Sequence, residues 1–185
     1  FSISCSKAPE WSARNNAAAK TNNVELVTRK DIKNTGVIPS LPDGGVIRKE
    51  TLPAVELAPG VKAKMYWGKG ALISWAKLDP GAEIPKETLP GERIMLVWSG
   101  AVEQLAAGRM IPMRYFEEKS PWSFTPHRDL IYLKKGAENA VKAGPEGAEI
   151  VEIYWPVRAD YVEKAGGTPP AGTDDTDYGA TPSIP

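Results

Sequence analysis

The sequence predicts an all-β domain, a two-sheet sandwich or small barrel of the jelly-roll kind, carrying an extended arm at each end. Three observations lead there. Turns built on glycine or proline punctuate the middle of the chain roughly every 8–12 residues: Pro42-Asp43-Gly44-Gly45, Pro59-Gly60, Gly68-Lys69-Gly70, Pro80-Gly81, Pro90-Gly91, Gly100, Gly108, Gly136 and Gly144-Pro145-Glu146-Gly147. The runs between them are short and rich in Val, Ile, Tyr and Trp, the residues that suit a pleated, half-buried surface. No stretch carries the period of a long amphipathic helix.

Taken in order, the expected strands are 61–67, 71–78, 92–98, 109–116, 130–133, 137–143 and 148–155. In the last of these Val151, Ile153 and Trp155 alternate with Ile150, Glu152 and Tyr154, the period of two that sends successive side chains to opposite faces. Seven or more short antiparallel strands in one core point to a sandwich or barrel. Residues 24–158 are assigned to this domain, preceded by a polar, Ala/Asn-rich arm at 1–23. A tail at 159–185 follows, rich in Pro, Gly, Thr and Asp. Arms of this composition bury too little to offset the entropy of ordering, so they hold a path only against another surface. The expectation is that they pack on a partner or symmetry-related chain.

Composition narrows the function classes. At 185 residues the chain has room for one ordinary domain with appendages. Lys plus Arg (23) equals Asp plus Glu (23), so the overall field that would gather the chain onto nucleic acid is missing. No apolar run approaches the ~20 residues of a membrane span. The single cysteine, Cys5, excludes an internal disulfide framework, and the single histidine, His127, excludes every site built from two histidines. Phe1-Ser2-Ile3-Ser4-Cys5-Ser6 is similar to the end of an export signal with a cysteine that could carry lipid. On that pattern the expected location is the periplasm or cell envelope, with the cytoplasm as the alternative.

Two stretches, in order, resemble the paired signature of the cupin superfamily. Residues 80–100 run Pro80-Gly81-Ala82-Glu83-Ile84-Pro85-Lys86-Glu87-Thr88-Leu89-Pro90-Gly91-Glu92-Arg93 and continue to Gly100. They match without a gap a motif with a Pro-Gly turn, a short strand, a His-x-His pair and an acid or amide before a strand closing on glycine. Residues 129–143, opening Asp129-Leu130-Ile131-Tyr132-Leu133-Lys134-Lys135-Gly136-Ala137-Glu138-Asn139, are similar to the segment that carries Pro-x-Gly-x-x-His. The resemblance spans residues 45–158, with 119–128 reading as an insertion. It implies a double-stranded β-helix, the jelly-roll barrel, and pairing of barrels into a homodimer.

The chemistry departs from that pattern. Glu87 and Leu89 stand where the resemblance places the two first-motif histidines, Arg93 where it places Glu or Gln, and Asn139 where it places the third histidine. A transition metal held by imidazole and carboxylate loses that donor field here, and Arg93 adds a fixed positive charge. No metal and no cofactor is expected. Alternation in a closed barrel aims these positions into one cavity, so Glu87 and Arg93 are expected to pair there, with Asn139 completing the hydrogen bonds. Lys86, Glu87, Leu89, Arg93 and Asn139 are the candidate ligand-pocket residues.

Two functions from different classes follow. The first, and the preferred one, is a metal-free, non-catalytic binding or accessory module that meets a protein partner or a second copy. The second is a metal-independent epimerase-, isomerase- or lyase-type enzyme acting on a sugar or small carboxylate. In that case Glu87 or His127 transfers the proton and Arg93 orients the substrate. A remnant hard-cation site on Glu87 and Asn139 is disfavoured by Arg93. Of six tryptophans, Trp122 stands with Phe124 in the insertion and is the candidate for stacking on a sugar ring or anchoring a partner.

Overall fold

The computed structural model describes residues 46–120 and 123–171, with the side chains of 117–120 and 123–125 left aside. The 1–23 arm with Cys5, Trp122 and the tail beyond 171 lie outside the described residues. Among the described residues, a 3-10 turn at Lys49–Thr51 is followed by nine strands: β1 (Ala54–Ala58), β2 (Val61–Trp67), β3 (Leu72–Leu78), β4 (Glu83–Thr88), β5 (Glu92–Ala106), β6 (Arg109–Ser120), β7 (Ser123–Arg128), β8 (Leu130–Leu133) and β9 (Glu138–Trp155). A short helix, α1 (Ala159–Lys164), follows.

All pairings are antiparallel, in the order β1-β2-β3-β9-β5-β6-β7, with β4 also on β9 and β8 also on β5. β5 and β9 are long enough to serve two layers. The first part of β5, from Glu92 to Gly100, pairs with the last part of β9, and β3 and β8 extend that layer. The second part, from Val102, pairs with the start of β9, and β4 and β6 extend the other. The register slips between Val97 and Ser99 and again between Gly100 and Val102, and such bulges bend a strand from one layer into the next. Sequence reading takes Gly100 and 144–147 for turns between strands; they are bends inside β5 and β9.

Between the layers lies one apolar core. Val61, Ala63 and Met65 of β2, Leu72, Ala76 and Leu78 of β3, and Ile150 of β9 meet Ile84, Val102, Met113 and Val141 of the other layer. The period-two pattern decides which residues go in: on β5 Arg93, Met95 and Val97 are buried while Ile94 and Trp98 face out.

Two segments differ from the sequence expectation. The 119–128 stretch, read as an irregular insertion, contains β7, which pairs with β6 from Tyr115↔Arg128 outward and lengthens a hairpin. The segment from 159, read as an extended tail, opens with α1. Tyr161 and Val162 are buried there, and Lys164 Nζ donates to the Leu57 carbonyl of β1 at 3.3 Å. With Val157, these side chains supply enough apolar surface to hold the helix on the barrel.

Gly100 sits at a φ of 73°, and a Cβ there would run into the Gly147 carbonyl across the bend. Gly108 has the same hand of φ, 74°, with nothing within 4 Å of a built Cβ. Gly108→Ala is expected to cost about 1–2 kcal/mol from backbone strain alone. Gly100→Ala should cost more, because backbone must also move. Urea unfolding of both variants checks this; equal losses would show that the β5–β9 bend is not closely packed.

Candidate functional site

Where the two layers meet, the interior turns polar. Arg93 lies on β5 opposite Tyr154 of β9, and Glu152 projects from the same inner face of β9 two residues earlier. Arg93 is 1% exposed, and Glu152, Gln104 and Asn139 are each 0% exposed. An ion in such surroundings is tolerated only when paired and hydrogen-bonded. Arg93 Nη2 donates to Glu152 Oε1 at 2.7 Å, and Nη1 donates to Gln104 Oε1 at 3.0 Å and to Asn139 Oδ1. Ser74 and Tyr154 hydroxyls donate to the two Glu152 oxygens at 3.1 and 2.9 Å, and Gln104 Nε2 donates to Asn139 Oδ1 at 3.0 Å. Met95 and Tyr154 wall the guanidinium, the latter with its ring centroid 5.9 Å away.

Next to this network is a second pair. A bulge in β4 sets Ile84↔Val141 and Glu87↔Asn139, three residues against two, so Glu87 faces inward like Ile84 despite the odd spacing. Its carboxylate accepts both terminal nitrogens of Arg158, at 2.9 and 3.0 Å, and Asn139 Nδ2 at 2.9 Å. Arg158 also binds Asp160 through Nε and Nη2, and its guanidinium stacks 4.1 Å from the Tyr161 ring centroid. Asn139 is therefore the link: its oxygen serves Arg93 and its nitrogen serves Glu87.

The expected Glu87–Arg93 ion pair is corrected by this geometry. Arg93 pairs with Glu152, and Glu87 pairs with Arg158; the two meet only through Asn139. The reason is topological. β9 runs beside β5 from Val141 to Trp155, so Glu152 reaches Arg93 directly, whereas Glu87 on β4 borders the start of β9 and pairs with Arg158 in the chain segment just after its end. Lys86 points out and pairs with Glu138 at the surface, Leu89 is buried in the core, and His127 on β7 stacks on Phe116 with centroids 4.8 Å apart. Phe124 is placed on β7 by its backbone. Sequence reading missed Glu152, Gln104, Ser74, Tyr154 and Arg158.

Electrostatics follow the burial. Burial works against the charge on Arg93, but Tyr154 and Glu152 hold its pKa above the usual arginine value. Burial also opposes charge on Arg158, and the hydrogen bonds to Asp160 and Glu87 more than offset it, so that pKa too is raised. Asp160 is pushed up by burial but drawn further down by Arg158, ending below the ordinary carboxylate value.

The donor set does not fit the metal that such barrels hold. Around Arg93 stand one carboxylate, two side-chain amides, a thioether and a fixed cation, and no imidazole. A dication there would face the guanidinium across a few ångströms of low dielectric. Glu87 and Asn139, the remaining oxygen donors, already serve Arg158, Arg93 and Gln104. Two cavities open elsewhere. One, of about 810 Å³, is lined by Val102, Met113, Ala143, Arg114, Phe116 and Asp129 among others; the second, of about 340 Å³, lies on the outer face of β2, β3, β5 and β9. Neither is lined by Lys86, Glu87, Leu89, Arg93 or Asn139.

Burial, and next the Glu152 carboxylate, raise the Tyr154 pKa well above its ordinary value, and burial raises that of Tyr161. A phenol whose folded pKa exceeds its unfolded value of about 10 stabilises the fold fully below that pH and progressively less above it. The melting temperature should therefore fall as pH rises beyond about 10, and two tyrosines should titrate only as the protein unfolds. Tyr154→Phe should flatten that fall; a tyrosinate absorbance titration complete before unfolding would contradict the assignment.

No protein-family model and no curated protein matches the sequence. Solved structures do. An RmlC-like cupin from Shewanella frigidimarina superposes with a TM-score of 0.51 at 16% identity, covering 61% of this chain and 91% of that one. KdgF from a Halomonas species gives 0.48 at 15% identity over 59% and 90%, and a predicted oxalate decarboxylase from Thermotoga maritima gives 0.47 at 15% over 60% and 98%. At such identities the likeness speaks for the fold alone. The Shewanella match and the two-layer topology of β5 and β9 agree: the chain is a cupin by fold, a double-stranded β-helix whose centre is filled by an arginine–glutamate pair.

Proposed function

We propose that the domain is a metal-free cupin-fold binding or accessory module, non-catalytic in its barrel, that meets its ligand or protein partner on its outer surfaces. One observation carries this reading. The barrel centre is occupied by the wholly buried Arg93–Glu152 pair, whose hydrogen bonds run to Gln104, Asn139, Ser74 and Tyr154. A ligand entering there would have to break a salt bridge in low dielectric, and removing one partner of such a pair costs about 3–5 kcal/mol. With the interior closed to chemistry, binding falls to the outside and to the arms, which would pack on a partner or a second copy.

The enzyme reading draws on Glu87, whose side chain is 27% exposed. Its two oxygens are both taken by Arg158, and Oε1 also by Asn139, so three of the four acceptor sites of the carboxylate are occupied and it is held as the partner of a fixed cation rather than as a free base.

The test is a metal titration of the purified full chain. We expect less than about 0.1 equivalent of transition metal on purification, and no change in melting temperature with Mn²⁺, Ni²⁺, Zn²⁺ or a chelator, since a ligand bound only by the folded state must raise it. One equivalent of tightly held metal, lost in Glu152→Leu, would overturn the reading. Turnover of a sugar acid abolished by Glu87→Gln would favour the enzyme instead.

A further inference from the structure

On the outer face of the sheet, opposite the polar interior, the register brings lysines and tryptophans together. Lys64 of β2 stands across from Trp75 of β3, Lys62 across from Lys77, and Trp75 across from Val151 of β9. The 3-10 turn closes one side, so that Lys49 and Glu50 wall a groove of about 340 Å³, and Trp98 of β5 closes another. Trp98 is 46% exposed, and the Arg128 guanidinium lies 4.5 Å from its ring centroid, fixing the indole from one side.

The charge of this groove is unbalanced in a chain that is balanced overall. Four lysines line it against Glu50 and Glu149. Lys64 donates to the Glu50 carbonyl at 3.3 Å. The ammonium groups of Lys49, Lys62 and Lys77 make no ion pair or hydrogen bond among the described residues, even though Glu149 is the cross-strand neighbour of Lys77. Lysines facing outward singly are ordinary; unpaired lysines around two indoles and an apolar floor form a surface complementary to a molecule that is both anionic and flat-faced.

We infer that this groove is a binding site for an acidic oligosaccharide. The C–H face of a pyranose ring lies on an indole, and carboxylate or sulfate groups on the ring reach the lysines at the rim. A single-stranded nucleic acid would use the same two kinds of contact, but it needs a charged path several nucleotides long and a field to draw it in. Here the groove is short and the net charge is zero. The inference rests on the reading of the domain as a binding module and names what it binds; it does not depend on the barrel centre, so the two fail separately.

The test uses the full chain, with tetragalacturonate as the probe and calorimetry and tryptophan fluorescence as readouts. Tetragalacturonate should bind saturably and quench tryptophan emission, while neutral maltotetraose binds at least about tenfold more weakly. Trp98→Ala, and Lys62→Ala combined with Lys77→Ala, should each weaken binding about tenfold or more, with melting temperatures close to the parent because these side chains lie outside the core. Raising the salt should weaken the charged probe only. Absence of binding, or binding untouched by both groove variants, overturns the inference. So does loss of binding in Glu87→Gln but not in the groove variants, which would put the ligand in the barrel. Tighter binding of an oligothymidylate than of tetragalacturonate overturns it in favour of nucleic acid.

Discussion

A guanidinium sealed from water inside a β-barrel has to be answered by a carboxylate within hydrogen-bond reach, and that requirement organises the centre of this protein. Glu152 answers Arg93 at 2.7 Å, and the other polar groups around them come from three strands: Ser74 from β3, Gln104 from the far part of β5, and Asn139 and Tyr154 from the two ends of β9. The pair thus ties together the two layers that β5 and β9 share. Its worth is conditional, since desolvating two ions costs about what their attraction returns. What the arrangement secures is register: a slip of one residue on β9 would send Glu152 to the outer face and leave Arg93 buried alone.

The second pair extends the same logic to the rim. Arg158 follows β9, and its bidentate hold on Glu87 with a further hold on Asp160 fixes where α1 starts. Tyr154 and Tyr161 meet edge to face, with centroids 5.4 Å apart, and the Arg158 guanidinium lies against both rings. Fold and site are therefore one structure: the polar groups at the barrel centre and rim also join the layers and dock the helix. This is why a binding role assigned to the domain is sought on its outer surface, where Trp75, Trp98 and the lysines of β2 and β3 line a groove.

Much of the fold was legible. The runs 61–67 and 130–133 coincide with β2 and β8, and the glycine- and proline-marked spacing gave an all-β jelly roll. The positions that the sequence resemblance singled out do converge, since Glu87, Arg93 and Asn139 belong to one hydrogen-bonded network. Their partners were harder to see. Glu152 was visible as a charge on the same face as Ile150 and Tyr154, alternating with Val151, Ile153 and Trp155; nothing in the local pattern said that its face was the buried one. Arg158 lay beyond the last strand, where periodicity gives no information, and α1 is too short at six residues to leave a helical pattern. The continuity of β9 through Gly144 and Gly147 was hidden because turn residues and bulge residues are the same residues.

The account turns on whether Arg93 and Glu152 act as one unit inside the barrel, and a double-mutant cycle read by urea unfolding measures that most directly. Arg93→Met and Glu152→Leu should each cost about 3–5 kcal/mol, because each leaves a buried charge without its partner, while the double variant should cost clearly less than either alone. Losses that simply add in the double variant would show that the two groups are independent, and the interior would then have no ion pair at its centre.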